Sequence, residues 1–174
     1  MGQEKQSGGR RRPVRRSAAR LAAVQALYQM DLAQTDVGEV LAQFSTRIAR
    51  PNFEEGNVEG ADFAFLKDIV EGVVREQRAI DPKINDSLAP GWSLSRLESI
   101  MRAMLRAGSY ELMFRDDIPA KAVISEYVDV AHAFYDGDQP GFVNGVLDRR
   151  ASAPAGRGRR SRSSDHDCRR RRVR

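Results

Sequence analysis

The side chains capable of chemistry are few and poorly placed for it. His132 and His166 have neither the spacing nor the neighbours of a metal-binding pair, and Cys168 is the only cysteine, which excludes an intramolecular disulfide framework and a multi-thiolate zinc site. Asp116, Asp117, Asp136 and Asp138 supply carboxylates, but neither pair has the spacing of a calcium-binding loop. The sequence contains no phosphate-cradling lysine loop and no dinucleotide glycine fingerprint. It therefore points away from an enzyme and calls for no catalytic residue, metal or cofactor.

Arginine offers a different chemistry. Arg10, Arg11, Arg12, Arg15, Arg16 and Arg20 crowd the amino-terminal end, and each guanidinium is a planar donor fork that fits a phosphate, meets a base edge or stacks on a base. Arg16 and Arg20, four apart, share one side of a helix if the first helix reaches back that far. Phosphate contacts give affinity without sequence choice. Selective recognition of a single strand also needs an aromatic or polar platform. Tyr28 and Phe142, the latter just before Asn144, are candidates, although their residue types favour ordinary core packing.

The formal net charge of +5 conceals a division. Residues 1–20 hold seven bases against one acid, a net of +6, and residues 149–174 hold eleven against two, a net of +9. Leu21 to Asp148 carries eleven bases and 21 acids, a net of −10. An acidic body with basic ends suggests an arm that finds a polyanion, with RNA, DNA and anionic lipid all open at this point. No apolar stretch approaches the roughly 20 residues that cross a bilayer, and the basic start is not followed by the apolar segment of a secretory signal. A cytoplasmic location and no membrane partner are expected.

Helices must position these side chains. Residues 1–16, with Gly8, Gly9 and Pro13, lack an apolar face and read as a flexible basic arm. From Ser17, a candidate cap, Leu21, Val24, Leu27, Tyr28 and Leu32 recur at helical spacing. Further helices are expected over Val37 to Ile48, Asp62 to about Ile80 with Pro82 limiting its extension, and Pro119 to Tyr135, with a short last one from near Gly141. The third places Leu66, Ile69, Val70, Val73 and Val74 on one face, and a loop with Pro51, Asn52, Gly56 and Gly60 precedes it. After a turn containing Ile84, Leu88, Pro90, Gly91 and Trp92, Ser95 and Glu98 form a capping-box pattern ahead of Leu97, Met101, Met104, Leu105 and Leu112. Gly108, costly inside that helix, marks close approach by another helix. No sustained period-two alternation appears, so the expectation is a compact all-α domain over 17–150 and a basic disordered tail over 151–174.

Four blocks carry a resemblance: RLAAVQALYQMDLAQ at Arg20 to Gln34, LRAGSYEL at Leu105 to Leu112, IPAKAVISEYVDVA at Ile118 to Ala131, and FVNGVLD at Phe142 to Asp148. In this order, they resemble the NusB family of bacterial antitermination factors. The resemblance implies two packed three-helix bundles and a complex with NusE, a protein of the small ribosomal subunit. It also implies binding of single-stranded boxA RNA, support of ribosomal RNA transcription, and RNA polymerase and other Nus factors as assembly partners. By the same resemblance, Arg10 to Arg16 and Arg20 form the RNA-binding arm, and Tyr28 lies near partner and RNA. Asp138 falls in the loop before the closing motif, whose aromatic is Phe142. Asn144 and Gly145 serve turn geometry and packing, while Tyr110 and Glu111 secure the bundle, with Glu111 also able to face the partner. Met101 departs from a position often acidic in the family, which weakens an ion pair to NusE there. Relatives usually finish soon after FVNGVLD, so the 26 residues beyond Asp148 read as an RNA-binding extension or as the product of a shifted reading frame.

Two other readings fit the arginines: a DNA-binding helical regulator, and a helical interaction scaffold with nonspecific RNA contact. A DNA-reading helix should expose a compact basic face, whereas the helices after Leu21 are mainly acidic. A related module is joined to RNA cytosine methyltransferases, but this chain has no room for their catalytic domain.

Overall fold

The computed structural model describes residues 8–49 and 60–153, with side chains from Val14 onward. Six α-helices account for nearly all of them: α1 (Gly8–Ala33), α2 (Val37–Ala49), α3 (Phe63–Asn85), α4 (Ser99–Phe114), α5 (Ala120–Phe134) and α6 (Gln139–Ser152). There is no strand among the described residues. α1, α2 and α3 pack together, as do α4, α5 and α6, and the two bundles join where α4 lies against α1 and α3.

α4 is the shared wall of the molecule, and small residues let its neighbours come close. A Cβ on Gly108 would lie 2.9 Å from the Cδ1 of Leu147 on α6 and 3.3 Å from the Tyr127 ring of α5. On the other side, a Cβ on Gly72 of α3 would overlap the Tyr110 ring of α4. Tyr110 is buried, stacks on Phe114 with ring centroids 5.5 Å apart, and donates its hydroxyl to Asp68 at 3.2 Å. Burial raises its pKa, reinforced by the Asp68 charge. Around this wall, Val24, Leu66, Ile69, Ile80, Met104, Leu105, Val123 and Leu147 form a continuous buried core.

Several boundaries differ from the sequence reading. α1 starts at Gly8, so Ser17 lies inside the helix rather than at its cap, and residues from Gly8 to Arg16 are helical rather than a flexible arm. Arginine and alanine favour helix, and tertiary bonds tie this stretch down: the Arg15 carbonyl accepts the Asp62 N–H at 3.0 Å, and its Nε donates to the Gly60 carbonyl at 2.9 Å. Residues 1–7, the loop positions Pro51, Asn52 and Gly56, and the tail from Pro154 lie outside the described residues. α6 runs to Ser152, two residues past the expected end, and buries Arg150.

Pro82 sits within α3 instead of ending it. The hydrogen bond it removes belongs to the carbonyl of Arg78, an exposed residue, while Ile80 and Ile84 on either side are fully buried and hold the last turn to the core. The capping box is also displaced. Asn85 Oδ1 accepts the Leu94 N–H at 2.8 Å and sets a 3-10 turn over Leu94–Arg96, after which α4 begins at Ser99. Ser95 pairs with the Ser93 hydroxyl, and Glu98 takes the cap position without a side-chain cap bond. Val74 and Leu32, placed on apolar faces by their spacing, are 41% and 60% exposed because each lies at the edge of its stripe.

Candidate nucleic-acid interface

The arginines of α1 divide into distinct environments. Arg10, Arg11 and Arg12 lie in its first turns, where only the backbone is described. Arg15 is exposed and bound to the loop before α3. Arg16 is half-buried with its guanidinium 4.8 Å from the Phe65 ring centroid. Arg20 and Arg115 also approach that ring, at 5.0 and 5.2 Å, so three cations share one aromatic side chain.

Arg20 belongs to the core, which corrects its assignment as an RNA ligand. It is 4% exposed, and its Nε and Nη2 donate to the two carboxylate oxygens of Glu111 at 3.0 and 2.8 Å. Its Nη1 reaches Glu126 at 3.2 Å. Glu111, fully buried, also accepts the Tyr127 hydroxyl at 2.8 Å, so it cannot face a partner. The bidentate geometry and third donor compensate the desolvated carboxylate. Burial alone would lower the Arg20 pKa, but its bond and attraction to Glu111 leave it raised. Burial raises the Tyr127 hydroxyl well above its ordinary value, and the Glu111 charge adds to the shift.

At the same end of α1, Arg115 bridges Asp68 and Asp117. Its hydrogen bond holds Asp117 at about 2, outweighing the small effect of burial, with the Arg16 charge adding slightly. The basic end of α1 is therefore interleaved with acids rather than uniformly cationic.

The aromatic candidates Tyr28 and Phe142 lie on different helices, α1 and α6, each beside another aromatic residue. Tyr28 is half-buried near Tyr135, whose hydroxyl donates to Glu98 at 3.0 Å and is pushed up to about 12 by burial and that carboxylate. Three residues on, the exposed Asp138 precedes α6 without a side-chain cap bond, and its carbonyl accepts the Phe142 N–H at 3.0 Å. Phe142 is half-buried, its ring 6.3 Å from that of Trp92 at 46°. Asn144, exposed, and Gly145, half-buried, lie inside α6 and not at a turn; the helix begins at Gln139, two residues before the expected start near Gly141. The twelve residues of helix from Arg16 to Tyr28 separate those two positions by about 18 Å.

Between α1, α3 and α4 lies a hollow of about 290 Å³, lined in part by Leu27, Asp31, Val73, Gln77 and Arg106. Its charges are already matched: Arg106 is bidentate on Asp81 at 2.9 Å, and Arg102 bonds Asp31. Burial alone would raise the Asp31 pKa, but the hydrogen bonds of Arg102 and Ser99 together with the charges of Arg102 and Arg106 leave it lowered.

A family model described as NusB family matches residues 17–152. The chain belongs to the NusB family. It is 52% identical over 141 residues to the transcription antitermination protein NusB of Rhodopseudomonas palustris strain HaA2, covering 81% of this chain and 83% of that one. Among solved structures, NusB of T. maritima superposes with a TM-score of 0.66 at 29% identity, over 81% of this chain and 93% of the other. A complex of the antitermination factors NusB and NusE with double-stranded RNA matches with a TM-score of 0.64 at 29% identity, over 82% and 97% of the two chains. NusB proteins are non-catalytic RNA-binding regulators, and this chain is not an enzyme. No described helix is long and apolar enough to cross a membrane. Sequence reasoning passed over Trp92, reading it only as part of a turn; its signal was an aromatic residue directly after a Pro-Gly pair.

Proposed function

We propose that this chain is a cytoplasmic transcription antitermination factor that works by stoichiometric assembly. Paired with NusE, it holds a boxA-type single-stranded RNA element near the elongating RNA polymerase and other Nus factors, and so supports ribosomal RNA transcription. The observation that carries the reading is the likeness, in fold and sequence, to NusB in the complex of NusB and NusE with RNA. The local chemistry supports it. Arg10, Arg11, Arg12, Arg15 and Arg16 furnish phosphate contacts along the first turns of α1, while Phe142, beside Asp138, and Tyr28 furnish aromatic surface for the bases.

Adjacent NusE and RNA sites should be thermodynamically coupled, each ligand raising affinity for the other by the same factor. The test measures binding of boxA RNA, scrambled RNA and duplex DNA at matched salt, with and without NusE. The expected result is preference for boxA, strengthened by NusE. Preference for the duplex would favour a DNA regulator. Normal NusE binding with no discrimination between the two RNAs would reduce the protein to an interaction scaffold.

A further inference from the structure

We infer that Trp92, braced by Phe142, is a base-stacking platform for one nucleotide of a single-stranded RNA; this rests on the reading of the chain as an RNA binder. Trp92 is the only tryptophan in the sequence and is 57% exposed. It is nonetheless held in place. Its backbone N–H donates to the Ala89 carbonyl at 3.0 Å, and the turn before it is tied from two directions. Arg96 Nη1 donates to the Gly91 carbonyl at 3.1 Å, and Arg149 Nη1, from α6, to the Ser87 carbonyl at 2.9 Å. Phe142 supports the indole from the side at 46°.

This arrangement suits a nucleotide better than it suits core packing. A core aromatic is enclosed, whereas this one is exposed on an anchored backbone, so stacking would cost little ordering. A guanidinium has five N–H donors, and Arg96 and Arg149, each giving one to the turn that carries Trp92, bring two positive charges beside the indole that a nucleotide's phosphates would meet. Every base has a π-face, so the platform contributes affinity to any single strand and leaves sequence choice to the groups around it.

Being the sole indole, Trp92 reports on itself. The full-length protein, with a NusE that lacks tryptophan, is titrated with a boxA-containing RNA oligonucleotide, following the fluorescence of Trp92 and, in parallel, the anisotropy of labelled RNA. The expected result is saturable quenching with the same Kd by both signals, and protection of the indole from acrylamide. Trp92→Ala should weaken RNA binding by roughly 5- to 150-fold, with Trp92→Phe recovering much of the loss. RNA binding by anisotropy with unchanged fluorescence and unchanged Trp92→Ala affinity would overturn the assignment while leaving the RNA reading intact. So would a Trp92→Ala variant that loses stability in urea but not RNA affinity, because the indole would then be a cover for Phe142. Absence of any RNA binding would overturn both.

Discussion

Removing the guanidinium of Arg20 would strand the Glu111 carboxylate in the core with only the Tyr127 hydroxyl for company. Arg20→Met is therefore expected to destabilise the fold by about 3–5 kcal/mol in urea unfolding, and adding Glu111→Leu to recover part of that loss. RNA binding measured on the folded fraction should keep its salt dependence, since Arg20 holds a carboxylate and not a phosphate. The residue was misread because it follows the arginine-rich stretch that ends at Arg16. Helical spacing carried the correct signal: Arg20 precedes Ala23, Val24 and Leu27 on the buried stripe of α1, as Glu111 follows Met104 and Gly108 on that of α4. A charge on an apolar stripe announces a buried partner, but sequence alone could not say which of the remote acids it was. Tyr127 leads to a pH prediction. Its folded pKa is raised, so the unfolded chain ionises first, and the stability it contributes is complete below about pH 10 and declines as pH rises toward its folded pKa. Tyr127→Phe should be less stable at pH 7 but lose less stability between pH 8 and 11, as read from urea midpoints.

Elements were legible wherever a broad apolar face ran for several turns, and less so where a single contact outweighed a local pattern. α2 and α5 lie within a residue or two of their expected ends because their buried faces, Val40, Leu41 and Phe44 in one and Val123, Tyr127 and Ala131 in the other, extend to the loops. Pro82 and the Ser95–Glu98 pattern misled for the opposite reason: Ile84 packing and the Asn85 bond to Leu94 are tertiary facts invisible to a local rule. The same logic gives a test at Gly72. Alanine is the better helix former by about 1 kcal/mol, but here its methyl would meet the buried Tyr110 ring. Gly72→Ala should destabilise by about 1–3 kcal/mol, as overpacking at the junction of the two bundles outweighs propensity. A stabilised Gly72→Ala variant in thermal or urea unfolding would show that Tyr110 moves aside freely.

On the scale of the whole molecule, charge and fold follow different boundaries. The acidic body from Leu21 to Asp148 contains most of the packed core, yet α1 begins before it, and α6 ends after it with Arg150 buried. Part of each basic end is therefore structural. The basic residues beyond that point have almost no apolar residues among them and can attract phosphate without choosing bases. Cutting after Ala153 preserves α6 and its closing bond from the Ala153 N–H to the Arg149 carbonyl at 3.1 Å. Removal of Pro154 to Arg174 should then leave the unfolding midpoint unchanged and lower affinity for boxA and scrambled RNA by similar factors. The loss should be largest at low salt, and each phosphate contact removed should reduce the salt slope by about 0.7. Paired salt titrations of the two RNAs with full-length and shortened protein, both with NusE, read this out. A loss confined to boxA would mean that the tail takes part in reading sequence, and the selectivity assigned to the aromatic side chains of the folded body would then have to be shared with it.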